Sequence, residues 1–110
     1  MPTLFTKILD GEIPGEILYQ DEHCFAIRDI NPQAPVHILI IPKTEIEGVA
    51  TVEPCGDHER LLYAARLIAE QQGLTDGYRL VINQGVQAGQ TVPHLHVHLI
   101  GGRDLSWPPG

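Results

Sequence analysis

Two hydrophobic rhythms divide this chain, one helical and one alternating. "LFTKIL" carries apolar residues at 4, 5, 8 and 9, enough for one or two turns of helix, closed by Asp10-Gly11. From Asp57, an acceptable N-cap, "HERLLYAARLIAEQQ" runs helically to Gly73, with Leu61, Leu62, Ala65, Ile68 and Ala69 as its apolar stripe. Five segments read as strands. "EILYQ" and "CFAIRDI" form a hairpin-like pair around Asp21-Glu22, followed by "VHILIIP", "YRLVIN" and "HLHVHLI". "VHILIIP" is apolar on both faces except at His37, the pattern of a central strand. "NPQAP" is a loop, because Pro32 and Pro35 each restrict the residue before them. Residues 42–56 are punctuated by Pro and Gly and have room for a turn of helix. These elements predict an α+β fold: an antiparallel five-stranded sheet with one long helix on one face and a short N-terminal helix.

Composition narrows the function classes. A chain of 110 residues suits one domain spanning 1–110, and 43% hydrophobic content beside 19% charged marks it as globular. A net charge of -7 disfavours nucleic-acid binding through a basic surface. That charge is uneven. Residues 1–76 hold 13 of the 14 acids against five bases, whereas 77–110 hold Arg79 and Arg103 against Asp104, so an anionic ligand is not excluded from the C-terminal end. Cys24 and Cys55 lack C-x-x-C spacing and read as ordinary thiols of a reducing compartment. The first residues lack the apolar core of a signal peptide, and "ILIIP" is far short of a membrane span. The expectation is a cytoplasmic protein without membrane contact.

The candidate chemistry lies in "GQTVPHLHVHLIGG". Strand alternation places His94, His96 and His98 on one face and Leu95, Val97 and Leu99 on the other, core-like, face. His37 is expected on a neighbouring strand. At ~3.3 Å per residue the outer two imidazoles of an extended strand stand roughly 13 Å apart, so one ion could take two of them but hardly three. No Cys, Asp or Glu within the stretch completes a metal site. No metal and no cofactor are expected. Four imidazoles used only to satisfy one another would cost desolvation that Val or Ile would avoid. The preceding "GVQAGQT" offers glycines that let backbone N–H groups approach an oxyanion, and Thr91 adds a hydroxyl. Together they suggest phosphate chemistry, with one imidazole attacking phosphorus and a second, as imidazolium, protonating the leaving group.

"HLHVHLI" resembles the His-φ-His-φ-His-φ-φ signature of the histidine triad (HIT) superfamily. The wider chain, through "LFTKILDGEIP", "RDINPQAPVHILIIPK", "GYRLVINQG" and above all "GGRDLSWPPG", resembles its Hint branch of histidine triad nucleotide-binding proteins. The resemblance implies a purine nucleoside phosphoramidase that hydrolyses adenosine or guanosine 5'-phosphoramidates through a nucleotidyl-histidine intermediate, and a homodimer. It implies His96 as nucleophile, His98 at the phosphate, and His94 and His37 in imidazole orientation and proton traffic. Asp29, with Ile30 beside it, would take the ribose hydroxyls. Phe5, Ile8 and Ile27 would clamp the purine of an AMP-like substrate. Asn83, Gly89, Gln90 and Thr91 would face the phosphate. Without the resemblance, Asp29 reads as a turn-capping acid and the apolar trio as core. Two departures bear on specificity: Pro93 stands where the branch often has an aromatic residue, and "QGVQAGQT" differs in its first half from more acidic versions. His23 and His58 match no family position and read as surface histidines. The alternatives are a dinucleoside polyphosphate hydrolase of the Fhit-like branch, opposed by "GGRDLSWPPG", and a nucleotide-binding partner protein with incidental catalysis.

Overall fold

The structure, a computed structural model, describes residues 2–110. Helix α1 (Leu4–Leu9) precedes the strands β1 (Ile17–Gln20), β2 (Cys24–Arg28) and β3 (Val36–Pro42). Helix α2 (Glu59–Gln71) leads to β4 (Tyr78–Val81) and β5 (Val97–Gly101), with short 3-10 turns at Val49–Thr51 and Val86–Ala88. The strands form one sheet in the order β1-β2-β3-β5-β4, every pair antiparallel. The expected architecture is thus observed, with β3 in the centre. No helix among the described residues is long and apolar enough to cross a membrane.

The alternation along β3 sorts the molecule into two cores. Ile38 and Ile40 face α2 together with Cys24, Ala26, Val97 and Leu99, and meet Leu61, Ala64, Ala65, Ile68 and Ala69. Leu39 and Ile41 face the other way with Phe25 and Ile27, and meet Phe5 of α1. The leucine–valine face of the last strand does belong to the larger core, and His98, paired with Leu39, points to the face that carries α1.

Four local expectations need correction. Leu62 is 62% exposed, and Ala64 takes its place in the buried stripe. At about 100° per residue Leu62 falls just beyond the arc that runs from Ala64 to Ala69. Asp57 does not cap α2: the flanking residue is His58, without a capping bond, and the Asp57 carboxylate accepts from Thr44 Oγ1 (2.8 Å) and His23 Nδ1 (3.3 Å). His23 and His58 are accordingly half-buried rather than surface residues. Lastly, β5 begins at Val97, so His94 and His96 lie in a bent segment ahead of it. Continued in register, the ladder would set Leu95 opposite Pro42. Pro42 has no N–H to donate, its carbonyl is taken by a side chain, and the Leu95 N–H turns to the Ile46 carbonyl (2.6 Å).

Because Ile68 lies within the larger core at 1% exposure, Ile68→Ala should lower unfolding stability by about 2–5 kcal/mol. Val86→Ala, at 90% exposure, should stay within about 0.5 kcal/mol of the parent. Urea denaturation of the two variants checks the pair, and equal costs would contradict this division of the chain.

Candidate active site

The bend before β5 is built by side chain to carbonyl bonds. His94 is fully buried, and its Nε2 lies 2.8 Å from the Pro42 carbonyl. A carbonyl only accepts, so Nε2 carries the proton and Nδ1 accepts, at 2.6 Å, from the Thr3 hydroxyl. Thr3 is also the N-cap of α1, receiving the Thr6 N–H, and Glu45 braces the same turn through the Thr3 N–H and the Thr6 hydroxyl. The His94 carbonyl in turn accepts from His96 Nδ1 at 2.7 Å. His96 therefore keeps its lone pair on Nε2, the nitrogen that makes no bond among the described residues. Phe5 sets its ring edge-on to His96, with centroids 5.0 Å apart, and touches His94 at 5.7 Å.

A second imidazole pair completes the face. The Gln33 N–H donates to His37 Nδ1 at 3.0 Å, so the His37 proton resides on Nε2. That nitrogen lies 2.9 Å from His98 Nδ1 and 3.4 Å from an Asp29 carboxylate oxygen. His98 accepts there and presents an Nε2–H outward, its ring 5.1 Å from that of His96. Burial pushes His98 down to about 4, helped by the neighbouring His96 and His37 rings, and burial also lowers His94. Both rings are neutral at pH 7, so neither supplies the imidazolium expected to protonate the leaving group, and His98 is a neutral donor beside the phosphate position.

A cavity of about 190 Å³ opens on this face. Phe5, Ile8, Ile27, Asp29, Ile30, Thr91, His96 and His98 line it, joined by Leu4, Arg28, Leu39 and Val92, which the sequence did not single out. His37 and His94 stand behind the wall. Three expected phosphate-side residues are not in the lining: Asn83, Gly89 and Gln90. The Gln90 carboxamide is committed to its own loop, accepting from Gly85 N–H and donating to the Glu47 and Val92 carbonyls. Gly89, at φ 94°, closes the 3-10 turn Val86–Ala88 in a left-handed conformation that favours glycine. Asp29 does cap a turn, since its Oδ1 accepts the Asn31 N–H at 2.8 Å, while its other oxygen faces His37. A larger cleft, of about 540 Å³, lies between the α2–β4 connection and the C-terminal segment and contains none of the histidines.

Sequence proximity had suggested that no carboxylate stands near the triad, yet the fold brings Asp29 to it. Asp29, His37 and His98 place ligand-type atoms within 4.8 Å of one another. Zinc does not fit this set. Tetrahedral zinc at ~2.0–2.1 Å from each nitrogen separates two ligands by roughly 3.3 Å and needs a lone pair from each. Here the two nitrogens are 2.9 Å apart and share a proton, because Gln33 holds the other nitrogen of His37 as an acceptor.

The model of the HIT domain family matches residues 10–105. A 14 kDa zinc-binding protein of Zea mays is 52% identical, over 99% of this chain and 88% of the maize protein. Adenylylsulfatase HINT1 of Arabidopsis thaliana is 49% identical, over 99% of this chain and 77% of its own. The crystal structure of a HIT family hydrolase from Legionella pneumophila superposes with a TM-score of 0.94 at 45% identity, covering 99% of this chain and all of that one.

The two depressed histidines set a pH window for stability. Unfolded, each ring binds a proton below about pH 6.5; folded, each refuses it, His98 down to about 4. Stability should therefore fall as pH drops from about 6.5 towards 4, before the carboxylates Asp21 and Asp57, held low by their hydrogen bonds, begin to matter. The urea midpoint measured across this window should decline, and less steeply in His98→Asn. A flat midpoint would contradict the burial assigned to these rings.

Proposed function

The chain belongs to the HIT domain family, and on that premise we propose that it is a purine nucleoside phosphoramidase, with His96 Nε2 as the nucleophile. One observation carries the reading. Among the described residues the only bond His96 makes through its ring nitrogens is Nδ1–H to the His94 carbonyl, which leaves the Nε2 lone pair free on a ring that lines the cavity. In the first step the Nε2 lone pair forms a bond to phosphorus as the bond to the amine breaks. The charge that develops on His96 is shared through Nδ1–H with the His94 carbonyl. His98 gives its Nε2–H to a nonbridging oxygen, where a fixed donor is worth most as charge accumulates. Water then attacks phosphorus, loses its proton to solvent, and returns the pair of electrons to Nε2, releasing the nucleoside monophosphate.

The remaining assignments follow the lining. Phe5, Ile8 and Ile27 provide an apolar slot for a purine, and Asp29 with Ile30 stands at its mouth for the ribose hydroxyls. Thr91 offers a hydroxyl on the phosphate side, with Asn83 and Gly89 farther out. His37 and His94 orient the reacting rings. The chemistry is metal-independent, which the zinc-binding name of the maize relative does not suggest but the donor set at Asp29, His37 and His98 supports.

A second reading has its own support. An amine leaves phosphorus only with a proton, and neutral His98 has none to spare, so that proton must arrive on the substrate nitrogen. Sulfate is a weak base and leaves without one. Adenylyl sulfate, the substrate in the name of the Arabidopsis relative, therefore suits this site as well. Polyphosphates suit it less, because the 84–91 loop holds no Lys or Arg and the one cation at the cavity, Arg28, pairs with Glu16 at 3.4 Å.

We extend the proposal to a homodimer. Among the described residues β4 pairs with β5 alone, which leaves its other edge free. Tyr78 and Leu80 share the α2 side of the sheet with Gly101 and Leu99, yet are 41% and 36% exposed. Ile82, next along the same alternation, is 42% exposed, so the edge strand presents apolar surface of the kind a second copy would cover.

Parallel assays, each run with and without chelator, test these readings. An adenosine phosphoramidate should exceed diadenosine polyphosphates in kcat/KM by at least about 100-fold, the cost of one missing charge-stabilising donor, because no free cation among the described residues meets the extra phosphates. Raising the pH above neutrality should slow phosphoramidate hydrolysis and leave adenylyl sulfate hydrolysis nearly flat. Comparable rates for the polyphosphate would transfer the protein to the polyphosphate hydrolases, and activity lost to chelator would refute metal independence.

A further inference from the structure

The C-terminal "GGRDLSWPPG" lies outside the cavity, and nothing so far explains what its arginine does for the site. Arg103 donates through both Nε (3.2 Å) and Nη2 (3.0 Å) to the carbonyl of Gln33, and through Nη1 (2.9 Å) to the carbonyl of Asp104. Gln33 is the residue whose N–H faces His37 Nδ1. Its side chain also reaches back to the Asn31 carbonyl, and the Asn31 N–H rests on Asp29. The loop between β2 and β3 is thus gripped at one carbonyl by a fork from the far end of the chain.

We propose that Arg103 is a positioning residue for the His37–His98 pair: by clamping the Gln33 carbonyl it holds the Gln33 N–H on His37 Nδ1 and keeps the His37 proton on Nε2. The inference rests on the reading of His98 as the donor to the phosphoryl oxygen. A neutral imidazole has one proton and two places for it, and the partner of one nitrogen decides which. When the Gln33 N–H moves away, Nδ1 of His37 can take the proton and Nε2 becomes an acceptor. His98 then turns its own proton to Nδ1 to meet it. Its Nε2 faces the cavity with a lone pair, which repels the oxygen it would otherwise stabilise. The planar fork of arginine suits such a clamp, since it delivers two parallel donors to one acceptor without reorganising.

Ring-nitrogen NMR of 15N-histidine protein, with steady-state kinetics on an adenosine phosphoramidate and on adenylyl sulfate, tests this. Arg103→Met should populate the Nδ1–H state of His37 beside the Nε2–H state that Asp29 still favours, and lower kcat by at least about 10-fold, short of the 10²–10³ that loss of a whole oxyanion donor costs. KM should stay within about twofold, because the donor acts in the transition state. Arg103→Lys, with one donor for two, should fall between, and it decides the question by the same readouts if the methionine variant does not fold. Arg66→Met, which removes a cation from an exposed pair with Glu70, should change neither tautomer nor kcat. An unchanged His37 tautomer in the Arg103 variants, or an altered tautomer with unchanged kcat, would overturn the proposal. If the parent protein turns over neither substrate, the functional reading fails, and the NMR result still decides whether Arg103 sets the tautomer.

Discussion

The Pro42 carbonyl receives the Nε2–H of His94, and the His94 carbonyl receives the Nδ1–H of His96. These two bonds fix where β5 can start, because the acceptor that would have continued the ladder is occupied and the proline beside it has no donor. They place two imidazoles in a bend instead of on a strand. They also settle which nitrogen of His96 keeps its lone pair. The hydroxyl of Thr3 attaches α1 to the His94 ring, so the helix that brings Phe5 to the cavity is anchored on the histidine that orients His96. An unpartnered imidazole buried there would cost roughly 1–3 kcal/mol in desolvation, and each of these bonds removes part of that cost.

Division of labour between the two faces of the sheet follows from β3. Its α2 side is closed by aliphatic packing. Its α1 side is covered by six residues of helix and leaves His37 and His98 beneath a partly open cavity. Burial there keeps His98 neutral, which suits a hydrogen-bond donor and leaves that ring no proton to give up as an acid. The site is accordingly better matched to leaving groups that carry their own proton or need none.

Much of this was legible in the sequence. Alternation in "VHILIIP" and "HLHVHLI" and helical spacing in "ERLLYAARLIAEQ" suffice for the elements, because burial of one face dictates both periods. Eight of the residues named from the resemblance do line the cavity. What stayed hidden depends on contacts distant in sequence. Nothing local announces that Pro42 ends the ladder, that Asp29 approaches His37, or that Gln33 contributes its backbone and not its side chain. Leu62 escapes because a stripe one residue too wide still has helical spacing. Thr3 carried a signal, a hydroxyl residue just ahead of an apolar helix start, but a capping residue that also serves a triad 91 positions away has no mark of its own.

Trapping the covalent intermediate tests the central claim, that backbone acceptance at His94 makes Nε2 of His96 the nucleophile. Acid-sensitive adducts survive a rapid alkaline quench, and peptide mass spectrometry then locates the nucleotidyl group. During turnover of an adenosine phosphoramidate or adenylyl sulfate, the group should be found on His96 and be absent from His96→Ala. A nucleotidyl group on His94, His98 or His37, or turnover at the parent rate in His96→Ala, would contradict the account.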